Sequence, residues 1–186
     1  MGILDFASND NGNPDIVLAS AGDTPNLEIV AASQILRKYL PNIKIRVINV
    51  VDLMKLVSND THPHGLTDEE YDKLFTKDKP IIFAFHGYAN LIHELTYKRH
   101  NHDLHVHGYM EEGAITTAFD MRVINEIDRF HLVKLALKHL NLNTIESRDL
   151  ERYCDDLLSK HKVYIREYGV DMPIIANWTF KGDGNV

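Results

Sequence analysis

The chain has 186 residues, 44% hydrophobic and 25% charged, which excludes a disordered, collagenous or disulfide-stapled chain and suits a domain that buries about 70% of its unfolded surface. Twenty basic residues against 27 acidic ones leave a formal charge of −7, the wrong sign for holding nucleic acid phosphates, and the single cysteine, Cys154, excludes an internal disulfide and any multi-cysteine metal cage. No apolar run approaches the ~18 residues of a membrane span, and residues 1–6 lack the basic start and apolar stretch of a signal peptide, so the expected location is the cytoplasm, away from membranes.

In chain order, residues 7–14 are rich in turn formers, and residues 1–14 read as a linker leading into a single domain over 15–186. Ile16-Val17-Leu18-Ala19 reads as a buried strand. Gly22-Asp23-Thr24-Pro25 follows, with Thr24 placed to cap a helix, Pro25 at its first position and Ile29, Ala32, Leu36 and Leu40 on its buried stripe. Pro41-Asn42 stops that helix. A second strand is predicted over 43–51 and a third over 80–85, where an unbroken apolar run suits a central strand covered on both faces.

Between those two strands, Thr67-Asp68-Glu69-Glu70 has the capping-box pattern. A helix over 88–97, a histidine-rich turn, a strand over 104–109 and a glycine turn at Gly113 come next. Two further amphipathic helices start at Asp128 and near Leu150, the second closed by Gly169. Strands alternating with helices predict a three-layer α/β/α sandwich around a mostly parallel sheet of about four or five strands.

The chemical motifs are sparse. There is no Walker loop, Gly22 stands alone where a dinucleotide site needs three glycines, and no serine sits on an elbow between glycines. Cys154 lies on an apolar helix stripe with Leu150 and Leu157 and reads as core. His86 follows the most buried strand, where open α/β sheets dock ligands, although the same position suits a residue that only caps the next helix. Glu111 and Glu112 follow Tyr109, but neighbours on a strand diverge, which favours capping or an inter-domain salt bridge over acid/base chemistry. Thr116 and Thr117 precede Phe119-Asp120-Met121 and suit either phosphate binding at a helix start or capping. His105 and His107 share one strand face about 7 Å apart, a spacing that two ligands of one metal can use, yet no third ligand is in sequence reach and hydrogen bonding is the simpler role. Gly182-Asp183-Gly184 opens like a diphosphate-binding motif, but too little chain follows to complete it.

Several blocks, taken together, resemble a known family: Phe6-Ala7-Ser8-Asn9-Asp10, Ala21-Gly22-Asp23-Thr24-Pro25, Val47 to Leu53, Phe75 to Pro80, Asn101-His102-Asp103, Gly108 to Gly113 and Asp128-Arg129-Phe130. In this order they are similar to the C-terminal part of the xylulose 5-phosphate/fructose 6-phosphate phosphoketolases, with Ala118 departing from a proline common there. The resemblance implies a fold like the transketolase C-terminal domain. It also implies a thiamine diphosphate- and magnesium-dependent enzyme that cleaves a ketose phosphate and releases acetyl phosphate and an aldose phosphate. In such enzymes the cofactor lies between two other domains of a homodimer. The expectation is therefore a non-catalytic domain that binds no cofactor or metal itself, with the N-terminal and middle domains of the same enzyme as its partners. Gly22, His86, Tyr109, Glu111, Glu112, Thr116 and Thr117 are its candidate ligand or domain-interface residues. The alternative is a regulatory module holding a small anionic metabolite near Gly22, His86 or Thr116.

Overall fold

The computed structural model describes residues 1–110, 113 and 115–181. One five-stranded sheet organises them, in the order β1-β3-β2-β4-β5. The strands are β1 (Gly2–Ile3), β2 (Ile16–Ala21), β3 (Ile45–Asn49), β4 (Ile81–Phe85) and β5 (Leu104–Gly108). β2, β3, β4 and β5 run parallel, and β1 pairs antiparallel with the outer side of β3. Parallel neighbours need crossovers, which the helices supply. The crossover helices are α1 (Asp23–Tyr39), α2 (Asp68–Phe75) and α3 (Ala89–Thr96), and after the last strand come α4 (Ala118–Ile124), α5 (Arg129–His139), α6 (Ile145–Tyr168) and the short α7 (Pro173–Ala176).

Alternation along the strands divides the core in two. Ile16 and Leu18 of β2, Ile45 and Val47 of β3, and Ile82 and Ala84 of β4 face α1, α5 and α6. Val17 and Ala19 with Ile81 and Phe83 face the opposite way, onto Tyr71 and Phe75 of α2 and Ile92 of α3. This is the expected sandwich, and β4 is buried at every position. Cys154 is fully buried on the α6 side, and that burial pushes its thiol pKa up to about 12, so it packs as a small hydrophobe.

Several local expectations need adjusting. Residues 1–14 do more than connect: β1 extends the sheet, Ala7 is fully buried, and Asn9 takes the place of a strand partner. The Asn9 side chain accepts from Ile45 N at 2.7 Å and donates to Ile43 O at 2.9 Å. Thr24 is not a cap. Gly22 occupies the N-cap with φ 108°, the helix opens at Asp23, and Pro25 is therefore its third residue. Asp23 Oδ1 instead accepts from Thr24 N at 2.7 Å, which satisfies one of the free amides of the first turn. By contrast, Thr67 and Glu70 close the capping box of α2, and Gly169 ends α6 in the left-handed conformation.

Three buried arginines hold the parts that regular structure does not, Arg46, Arg99 and Arg129. Arg46 of β3 pairs with Asp10 through Nε (3.0 Å) and Nη2 (2.6 Å) and donates to Lys73 O and Leu74 O at the end of α2. Arg99 donates to Leu56 O, Val57 O and Leu66 O, pairs with Asp68, and lies over the Tyr71 ring at 4.4 Å. Arg129 shares Glu28, which has no solvent exposure, with Arg122. Glu28 Oε2 accepts from Arg129 N (2.9 Å) and Nε (2.8 Å), and Oε1 accepts from Arg129 Nη2 (3.0 Å) and Arg122 Nη1 (2.5 Å).

Glu28→Ala strands two guanidinium groups in that site. It is expected to cost about 3–5 kcal/mol, as loss of one partner from a buried ion pair usually does. The test is urea unfolding, in which the midpoint should fall at unchanged slope.

Candidate functional site

The carboxyl ends of β2, β4 and β5 form one edge of the sheet, and the crossovers reverse direction there, since β2 leads to β3 on one side while β4 lies on the other. Ligands of open α/β sheets dock at such a point. Three of the sequence candidates meet there. Gly22 follows β2, His86 follows β4 and Tyr109 follows β5. Backbone bonds from His86 N to Ala21 O (3.0 Å) and from Tyr109 N to Phe85 O (2.8 Å) continue the ladder past the strand ends. The His86 ring meets Tyr109 edge-on at 5.0 Å. A Cβ on Gly22 would lie 2.6 Å from His86 Cβ, so glycine is required for this approach as well as for its φ of 108°.

The chemistry of this notch is limited by Asp23. His86 Nδ1 lies 3.6 Å from Asp23 Oδ1, beyond hydrogen-bond range. The hydrogen bond from Thr24 N, foremost among the causes, holds the exposed Asp23 carboxyl below its ordinary pKa. A carboxylate thus already answers the α1 amino end, and an anionic metabolite would have to meet it. The nearby Ser20 hydroxyl is buried and donates to Asn26 Oδ1 at 3.0 Å. It is no free nucleophile.

The two threonines serve α4. Thr117 is its N-cap and accepts from Asp120 N at 3.3 Å, while the Thr116 hydroxyl donates to Asp120 Oδ2 at 2.5 Å. Glu111 and Glu112 lie outside the described residues, as does Gly182-Asp183-Gly184.

The histidines on β5 point to the α5 side of the sheet, level with Ile82 and Ala84. They do not act as the pair that their spacing suggests. His107 faces Glu126, 4.0 Å away. His105 Nε2 lies 2.7 Å from Asp103 Oδ1, and its ring stacks on His139 at 3.5 Å. His139 is the last residue of α5, 34 positions away by the numbering, and no spacing rule connects it to β5.

These residues do not fit thiamine diphosphate with magnesium. Magnesium takes oxygen ligands and keeps several waters, whereas the group of three ligating side chains found among the described residues offers two imidazoles and one carboxylate. A diphosphate needs a run of free backbone amides, and at the Gly22 turn from β2 into α1 Asp23 takes the amide of Thr24.

Elsewhere, a buried imidazole lacks a good partner among the described residues. His161 of α6 is 1% exposed and meets Phe119 edge-on at 5.0 Å. Its Nε2 is 3.5 Å from Asp171 Oδ1, and neither ring nitrogen makes a hydrogen bond among the described residues. Burial pushes its pKa below the ordinary value of 6.5.

Fold and edge together define an α/β domain of the parallel, doubly covered kind, tied by buried guanidinium groups. The chain belongs to the XFP C-terminal domain family, whose model matches residues 1–180. It is 56% identical over 177 residues to a probable phosphoketolase of Clostridium acetobutylicum, covering 95% of this chain and 22% of that protein. It is 52% identical over 182 residues to a probable phosphoketolase of Pediococcus pentosaceus, covering 97% and 23%. A xylulose-5-phosphate phosphoketolase of Lactiplantibacillus pentosus is 49% identical over 183 residues, covering 98% and 23%. The chain therefore spans less than a quarter of the length of these relatives.

Gly22→Ala forces a side chain into a backbone conformation essentially reserved for glycine, and is expected to lower stability by about 2 kcal/mol or more. Calorimetric melting would measure it. For His161 the folded chain binds its proton less readily than the unfolded chain, so stability should fall as pH drops below 6.5. In His161→Leu that fall should be shallower, as read from urea midpoints between neutral and mildly acid pH.

Proposed function

We propose that this chain is the C-terminal domain of a thiamine diphosphate- and magnesium-dependent phosphoketolase. The whole enzyme cleaves xylulose 5-phosphate or fructose 6-phosphate with inorganic phosphate, giving acetyl phosphate and an aldose phosphate. The observation that carries this reading is the family match over residues 1–180, made by a chain only 22–23% as long as the phosphoketolases it resembles.

In this reading the domain is structural and inactive alone. Its donor sets support that role, because neither the Gly22 turn nor the Asp103 cluster suits the diphosphate–magnesium group. Its partners are the N-terminal and middle domains of the same enzyme, which works as a homodimer in the cytoplasm. Val163, Tyr168 and Ile174, all exposed near the end of α6, supply apolar surface for such packing. No described helix is long and apolar enough to cross a membrane.

The test is an assay of the 186-residue chain with xylulose 5-phosphate, phosphate, thiamine diphosphate and magnesium. No acetyl phosphate is expected, and its formation would overturn the division of labour. In a second arm, this chain replaces the matching part of the Clostridium acetobutylicum protein. The chimera should make acetyl phosphate at a rate comparable to the parent, and a folded but silent chimera would count against the assignment.

A further inference from the structure

The free edge of the sheet carries side chains that the proposed function leaves unused. β5 pairs only with β4 among the described residues, and its other side is open. At its start, Asp103 and His105 lie two residues apart in extended chain and so share a face. That face is the one that α5 covers, and it brings His139 from the helix end over His105. One ligand atom from each of Asp103, His105 and His139 lies within 4.8 Å of the others.

We infer that Asp103, His105 and His139 form a binding site for a first-row transition ion of the zinc type, which clips the edge strand β5 to the carboxyl end of α5. Two imidazole nitrogens with one carboxylate oxygen are the donor set of many zinc sites with three protein ligands, and they leave a fourth position for water. Two donors about 2.1 Å from a tetrahedral ion sit about 3.4 Å apart. His105 Nε2 and Asp103 Oδ1, 2.7 Å apart in a hydrogen bond, part by about 0.7 Å when an ion replaces the proton they share. His139 stacks on His105 with the rings at 25°, and with its ligand atom already within 4.8 Å of the other two it has to turn about its side-chain bonds to share an ion with them.

The surroundings suit the role. All three side chains are at least partly exposed, so an ion has a path in. His107, two residues on along β5, is engaged with Glu126 and stays outside the group. Magnesium is the wrong ion for two nitrogen donors, which keeps this site separate from the metal of the proposed enzyme.

The experiment is a titration of the chelator-stripped 186-residue chain with zinc chloride, read by competition with a chromogenic chelator and by the shift in melting temperature. About one zinc per chain is expected, with a rise in melting temperature, and magnesium chloride should give neither. His139→Ala and Asp103→Asn should each weaken binding at least about tenfold. His107→Ala and His102→Ala should leave it unchanged. Each variant is checked by circular dichroism and by its melting temperature without metal, so that loss of binding is not mistaken for loss of fold. Zinc bound equally by His139→Ala, or lost in His107→Ala, would overturn the site, as would failure of the stripped wild-type chain to bind.

Discussion

A carboxylate removed entirely from water is the constraint around which one side of the molecule is arranged. Glu28 has no solvent exposure, and stripping a charge of its hydration costs several kcal/mol unless donors replace the water. Here four N–H groups do so, one from the backbone and three from two guanidinium groups. Those donors come from α4 and α5, 94 and 101 residues further along the chain. The position of α1 on the sheet is thereby coupled to the packing of α4 and α5 against it. Arg129 also lies 4.8 Å from the Trp178 ring, which draws the segment after α7 into the same arrangement.

The same device recurs where segments lack regular structure. Arg46 binds Asp10 and two carbonyls at the end of α2, so the amino-terminal segment, β3 and α2 share one anchor. Asn101 works in a similar way on a smaller scale, donating to Lys79 O at 2.9 Å and accepting from Asp103 N at 2.9 Å. The blocks that carry the family resemblance contain several of these residues: Asn9, Asp10, Asn101 and Arg129. In this structure they are chiefly buried polar groups that join elements distant in sequence, and their chemistry is architectural.

Much of the fold was legible because it rests on local rules. The apolar runs at 16–19 and 81–85, the Thr67–Glu70 capping box and Gly169 each express a periodicity or an end signal contained within a few residues. The edge formed by Gly22, His86 and Tyr109 was also within reach, because strand ends follow from strand assignments. The readings that changed depend on distance. Residues 1–14 look like a linker by composition, and only the approach of β3 gives Asn9 and Asp10 their partners. Thr24 looks like a cap until Gly22 makes the turn two residues earlier. His139 belongs with His105 through helix packing alone, which no spacing in the sequence encodes.

The grip of Arg99 has a consequence for how the chain between β3 and α2 can change. Its guanidinium holds Leu56, Val57 and Leu66 through their carbonyl oxygens and reads no side chain among them. A contact with the peptide backbone is indifferent to residue type. At its exposed positions the loop is thus free to drift in composition while keeping its path, whereas Leu56 is fixed by the core it fills and Gly65 by the backbone of Ser58, which any side chain there would strike. Variation there alters what the surface offers to a neighbour without disturbing the framework beneath.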